Sequence, residues 1–186
     1  LGFGADPDEN IRSLVNLTGE VLNGHTAWYT RLEGHHLRTV AAWNPLEDMP
    51  WTRDADGHLC SHIIRENTEQ PCLLAHLQEG EYATSDPRVR RFGLQTYIGH
   101  SVSYKDRGLG CLSISFREDV QPEESERHFL GAVASAVRIE EKRRLAGLAV
   151  FRKDQLLEAS AHVNTLLLVE EDPRKAISEA LMKIGK

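Results

Sequence analysis

Residues 96–116 read TYIGHSVSYKDRGLGCLSISF, and their alternation sets the fold. A strand turns successive side chains to opposite faces. With that period Ile98, Val102, Leu112, Ile114 and Phe116 share one side, while Gly99, Ser101, Ser103, Cys111, Ser113 and Ser115 share the other. The pattern predicts two strands closed by a short loop around Gly108. The large apolar side wants a core. The small, polar side leaves room, and what occupies it is left open. His100 interrupts the division, because it falls on the apolar side with Ile98 and Val102. A buried histidine needs a hydrogen-bond partner or a metal.

Upstream, Asp6-Pro7-Asp8-Glu9 opens a helix, with proline in the first turn and acids against the helix dipole. Ile11, Leu14, Val15 and Thr18 repeat at helical spacing until Asn23-Gly24 stops it. Strands are expected over Thr26–Leu32 and Leu37–Trp43, then a loop over Asn44–Asp56 and a helix over Leu59–Glu66. A strand over Pro71–Leu77 follows, and Asp86-Pro87 starts a helix over Arg88–Phe92 that Gly93 ends.

Downstream, Pro122 precedes a long helix, since Glu123 to Val169 holds no proline and only Gly131 and Gly147. Leu130, Val133 and Val137 point one way, toward the sheet. Past Lys142-Arg143-Arg144, residues Leu145, Ala149, Arg152, Leu156, Ala159, Val163 and Leu166 follow alternating steps of four and three, the spacing of a coiled-coil seam. A small domain leaves such a helix uncovered, so its second half is expected to find a partner, most simply its own copy. A shift of 166 residues matches Asp6, Pro7, Ile11 and Gly19 to Asp172, Pro173, Ile177 and Gly185. That repeat predicts the first helix of a second, related domain over 171–186.

The 186 residues suffice for one domain and an appendage. A net charge of −6 disfavours nucleic acid as a partner. Cys60, Cys72 and Cys111 are too few and too scattered for a disulfide framework, which suits a reducing, cytoplasmic setting. No run approaches the roughly 20 apolar residues of a membrane span, so no membrane partner is expected for this segment. No signal peptide is seen, and the opening Leu1 predicts a piece of a longer protein.

Three quoted runs carry a resemblance. Leu59-Cys60-Ser61-His62-Ile63-Ile64-Arg65-Glu66-Asn67 stands before Gln70-Pro71, and Ser85-Asp86-Pro87-Arg88 leads through Phe92-Gly93-Leu94 into Tyr97-Ile98-Gly99. Gly108-Leu109-Gly110-Cys111-Leu112 and the acidic opening Pro122-Glu123-Glu124 complete the order. Over about Pro7–Glu141 the chain resembles a GAF domain, the small-molecule sensing module of bacterial signalling proteins such as sensor histidine kinases and cyclases. The resemblance implies an α+β fold: a central antiparallel sheet of five to six strands flanked by helices, with a long C-terminal signalling helix. With the seam and the repeat, the expected organisation is a sensor domain at 1–141, a projecting helix at 142–170 and a truncated second domain at 171–186. The resemblance also implies a ligand pocket on one sheet face, a homodimer through the Pro122–Val169 helix, and a downstream kinase, cyclase or regulator domain in the same chain.

The ligand classes of that family are weighed against the residues. A covalent bilin is disfavoured, because no cysteine stands near Thr84-Ser85, and Cys60-Ser61-His62 lies too early. A cyclic nucleotide lacks support, since Tyr104-Lys105 replaces the expected Asn-Lys. Haem stays open, because the chain carries nine histidines and His100 is oddly placed. The ligand itself is left unknown. Candidate ligand contacts are Trp43, Cys60, His62, Arg91, Tyr97, His100, Ser101, Cys111 and Ser113. Arg88-Val89-Arg90-Arg91 fits a solvated helix face, with contact to an anionic ligand as the functional alternative. His162 on the long helix lacks the acid expected beside a phospho-acceptor. No catalytic triad, paired carboxylates or phosphate loop stands out, so no enzyme is expected. The alternatives kept beside a sensor are a ligand-free dimerisation module and a sulfoxide-reductase-type catalyst.

Overall fold

The computed structural model of the protein describes residues 4–169. Helix α1 (Pro7–Leu22) starts where Asp6 accepts a hydrogen bond from the Asp8 N–H, and it ends at Asn23 in the left-handed conformation. Strands β1 (Thr26–Glu33), β2 (His36–Trp43) and β3 (Thr52–Asp54) follow. Helix α2 (Leu59–Glu66), strand β4 (Cys72–Leu74) and helices α3 (Tyr82–Ser85) and α4 (Pro87–Phe92) lead to β5 (Thr96–Tyr104) and β6 (Arg107–Phe116). Helix α5 (Glu124–Val169) closes the described chain. Strand β3 falls in the stretch expected as a loop, and helix α3 where no element was expected; each is too short to show a period.

The six strands form one sheet in the order β3-β2-β1-β6-β5-β4, with every neighbouring pair antiparallel. The β5–β6 hairpin lies at the expected position, but its turn is not at Gly108. Lys105 and Asp106 make the turn with φ of 51° and 60°, a two-residue geometry that suits the twist of the flanking strands. Gly108 sits inside β6 opposite Ser103, next to a slip in the ladder. A Cβ there would come within 2.6 Å of the Ile64 carbonyl oxygen, so glycine lets α2 lie against the hairpin.

Each face of the sheet buries its own core. Ile98, Val102, Leu112 and Ile114 pack with Ile11, Val15 of α1 and Leu130, Val133, Val137 of α5. Each fully buried aliphatic side chain of this kind contributes about 1.5–3 kcal/mol. The opposite face packs Trp28, Tyr97 and Cys111 against Leu59, Cys60, Ile63 and Ile64 of α2, with Leu77, Val89 and Leu94 beyond. The room expected on that face is therefore filled by the chain's own side chains. A Cβ on Gly99 would lie 2.8 Å from the Tyr97 ring and 3.0 Å from Ile63, so the small residues make space for α2 and Tyr97.

A buried polar tie holds α5 to this sheet. The Arg31 guanidinium on β1 pairs with Glu141 at 2.6 Å and with Asp8 at 2.7 Å, and both Arg31 and Glu141 are buried. One residue earlier, Glu140 accepts from the Asn10 side-chain amide at 3.1 Å.

The chain divides into two compact units, one over Leu1–Lys142 and one from Arg143 onward. In the second, Leu148, Phe151, Leu156 and Leu157 are more than half exposed. The second domain expected over 171–186 lies outside the described residues. Among the described residues, no helix is long and apolar enough to cross a membrane.

Candidate functional site

The α2 face gathers a polar cluster around one sulfur. Cys60 sits in the first turn of α2 and points into the sheet, fully buried. The Trp28 indole N–H on β1 donates to its sulfur at 3.3 Å, and the Tyr97 hydroxyl on β5 donates at 3.2 Å. The Arg53 guanidinium on β3 reaches it at 4.0 Å, and Thr30 lies 3.9 Å away. Cys111 on β6 meets the same Tyr97 hydroxyl at 3.4 Å, so both sulfurs lie around one oxygen.

Arg88 closes the cluster from α4. Its guanidinium stacks 5.1 Å from the centre of the Trp28 ring. Asp86 holds it in place, accepting from Arg88 Nε at 2.8 Å and from Nη2. Asp86 is fully buried and is also the N-cap of α4, the acceptor for the Leu59 N–H, and the partner of His58 at 3.2 Å. Among the described residues, two guanidinium atoms here have no hydrogen-bond partner: Arg53 Nε and Arg88 Nη1.

The charges bias one another. Burial alone would raise the Asp86 carboxyl, but the hydrogen bonds from Arg88 and His58 hold it far below the usual carboxylate range. The Cys60 thiol is pulled well down by its hydrogen bond with Cys111 against the cost of burial, and the Arg88 and Arg53 charges add to the pull. Burial pushes the Tyr97 hydroxyl and the Cys111 thiol well up. Burial also lowers Arg53, whose charge has no carboxylate within ion-pair distance among the described residues.

Of the residues singled out in the sequence, the structure brings together Cys60, Tyr97 and Cys111. Ser113 lies on the same face, its hydroxyl donating to the Trp28 carbonyl at 3.4 Å. Ser101 donates to Asn67 at 3.0 Å. His62 lies on the far side of α2, edge-on to Tyr82 beside an open cleft of about 310 Å³. Arg91 is exposed and pairs with Asp48 at 3.1 Å. Trp43 is not with Tyr97: it packs over Gly19 of α1, on the opposite face.

His100 also faces α5. Its ring lies against Gly131, and Nδ1–H donates to the Ser101 carbonyl at 2.7 Å. Burial and the nearby Arg138 charge lower its pKa. A cleft of about 490 Å³ beside it is lined by Glu69, Glu124, Arg127 and Arg138. The residue that spoiled the hairpin's pattern is thus a partnered histidine at the sheet–α5 boundary.

Trp28, Thr30, Arg53, Asp86 and Arg88 were not singled out as site residues. Trp28 lay within an expected strand, and Arg53 in an expected loop. Arg88 was grouped with its exposed neighbours Arg90 and Arg91. The usable signal was Asp86-Pro87-Arg88, a helix cap whose carboxylate stands two residues before a basic side chain.

An antiparallel sheet with helices on both faces, a polar interior on one of them and a long C-terminal helix define the class of domain. The GAF domain family model matches residues 6–140, and the chain belongs to that family. No curated protein matches its sequence. Its fold is similar to the GAF domain of the Acinetobacter phosphoenolpyruvate-protein phosphotransferase (12% identity, TM-score 0.61, covering 76% of this chain and 85% of that one). It is also similar to a GAF domain/HD domain protein from Geobacter sulfurreducens (14%, 0.61, 76% and 95%). A free methionine-R-sulfoxide reductase from Neisseria meningitidis shares the fold too (14%, 0.61, 77% and 83%). GAF domains of multidomain signalling proteins thus stand among its structural neighbours.

Proposed function

We propose that this GAF domain is a sensory, regulatory module. A small molecule bound on the α2 face of the sheet would be relayed through α5, paired with a second copy, to a kinase, cyclase or regulator domain further along the chain. The observation that carries the reading is the two-part character of α5. Its first turns bury Leu130, Val133 and Val137 in a core, while its later turns carry Leu148, Phe151 and Leu156 exposed. Large apolar side chains left exposed along a long helix gain from burial against another helix. Because side chains fill the α2 face, ligand entry there requires α2 and the cover over Gln78–Phe92 to separate. Coupling then follows if the ligand has different affinity for two seatings of α5.

The same filled face favours a second reading, a dimerisation module that binds nothing. Sedimentation over a concentration series, with native mass spectrometry and an absorption spectrum of the purified protein, separates the two. A dimer that carries or takes up a small molecule supports the sensor. A dimer that stays empty across a metabolite screen supports the second reading. A monomer at the highest soluble concentration refutes helix pairing.

A further inference from the structure

We propose that Cys60 and Cys111 form a peroxide-reactive dithiol, in which Cys60 is the attacking thiolate and Cys111 the resolving thiol. The inference does not depend on the small-molecule reading. It starts from the donors around one sulfur. The Trp28 indole N–H and the Arg53 guanidinium have no acceptor capacity, so towards them Cys60 is only an acceptor. The Tyr97 hydroxyl donates as well. A neutral thiol is a weak acceptor, whereas a thiolate is suited to such a ring. Charge balance points the same way. Asp86 is neutralised by Arg88 and flanked by His58, which leaves the Arg53 cation in the interior without a carboxylate among the described residues. A Cys60 thiolate supplies its counter-charge. Every element packed against the sulfur is then accounted for: β1 brings Trp28 and Thr30, β3 Arg53, β5 Tyr97, β6 Cys111, and α4 Arg88 with Asp86.

The chemistry balances with a hydroperoxide as oxidant. The Cys60 thiolate attacks one peroxide oxygen; the S–O bond forms, the O–O bond breaks, and hydroxide or alkoxide leaves. Sulfur loses two electrons and the peroxide gains them. Cys111 sulfur then attacks the Cys60 sulfenic acid. The S–S bond forms, the S–O bond breaks, and the hydroxyl leaves with the Cys111 proton as water. The product is a disulfide joining α2 to β6. Both sulfurs are fully buried, so the oxidant is restricted to a molecule near the size of hydrogen peroxide, admitted by local opening of the cover.

The test uses the full chain carrying Cys72→Ser. It is exposed to hydrogen peroxide, unfolded, alkylated and weighed, and its peptides are mapped. The expected result is loss of two alkylatable thiols and a linked Cys60–Cys111 peptide. Its rate of formation should rise with pH less steeply than that of an ordinary thiol, which gains about tenfold per pH unit below its pKa. In the same chain with Cys111→Ser, oxidation should stop at a sulfenate on Cys60 that dimedone traps. Full alkylation of both cysteines after exposure that oxidises free cysteine overturns the proposal. So does a rate that climbs the full tenfold per pH unit of an ordinary thiol, about as gives it.

Discussion

Replacing Asp86 by asparagine isolates one charge in the interior of the α2 face. Asparagine keeps the size of the side chain and caps a helix about as well as aspartate. What it removes is the carboxylate that receives Arg88 Nε, Arg88 Nη2, the Leu59 N–H and His58. Arg88 is only 6% exposed and already has one unpartnered nitrogen, so its cation would be stranded against Trp28. Breaking a buried pair from one side costs about 3–5 kcal/mol. At this chain length each kcal/mol moves the midpoint by about 2–4 °C, so Asp86→Asn should lower the melting temperature by roughly 6–20 °C. Thermal and urea unfolding followed by circular dichroism measure it. Adding Arg88→Met removes the stranded cation and should recover much of the loss. A single variant within about 1 kcal/mol of the parent refutes the reasoning. A double variant no better than the single one does the same. The sign with pH also follows: the folded carboxyl lies below its unfolded value, so this stability is present above about pH 4 and is lost as pH falls. Asp86→Asn should flatten that acid limb.

Three further outcomes are expected. Gly99→Ala should cost about 1–3 kcal/mol in urea unfolding, because its Cβ would press Tyr97, Ile63 and Cys111. Glu141→Gln should cost about 3–5 kcal/mol by leaving Arg31 underpaired in the interior, and an unchanged midpoint would remove that pair from the stability account. His100 titrates below its unfolded value, so the unfolded chain takes up the proton first and stability declines as pH drops below about 6.5; His100→Gln should remove that part of the slope in unfolding measured from pH 8 to 5.

The sheet was legible in the sequence where alternation was long. The β5–β6 run supplied enough residues for both faces to be assigned, and both assignments hold with Ile98 and Leu112 on one side and Tyr97 and Cys111 on the other. Period two says which side chains share a face, but it does not say what lies opposite. Small residues on the second face read as vacancy because Ile63 and Ile64, which fill it, come from a helix more than thirty residues upstream. The polar cluster was harder still. Arg88 is buried and Arg53 half-buried only because Cys60, Trp28 and Asp86 meet them in space, and neither arginine carries a local mark of it in the sequence. Nor does the sequence tell that Trp43 lies on the other face from Tyr97, where Gly19 of α1 opens a slot for it.

The Arg31 tie gives the sheet end of α5 a detent rather than a sliding surface. Aliphatic side chains such as Val133 and Val137 tolerate small slips, because their contacts are non-directional. Glu141 does not: one residue of axial travel is 1.5 Å, enough to carry its carboxylate out of a 2.6 Å contact and leave Arg31 charged in a dry interior. Seated and unseated positions are then distinct rather than graded. Thr30, the chain neighbour of Arg31 on β1, touches the Cys60 sulfur from the opposite face. The latch on one side of the sheet and the sulfur cluster on the other are therefore a single residue apart.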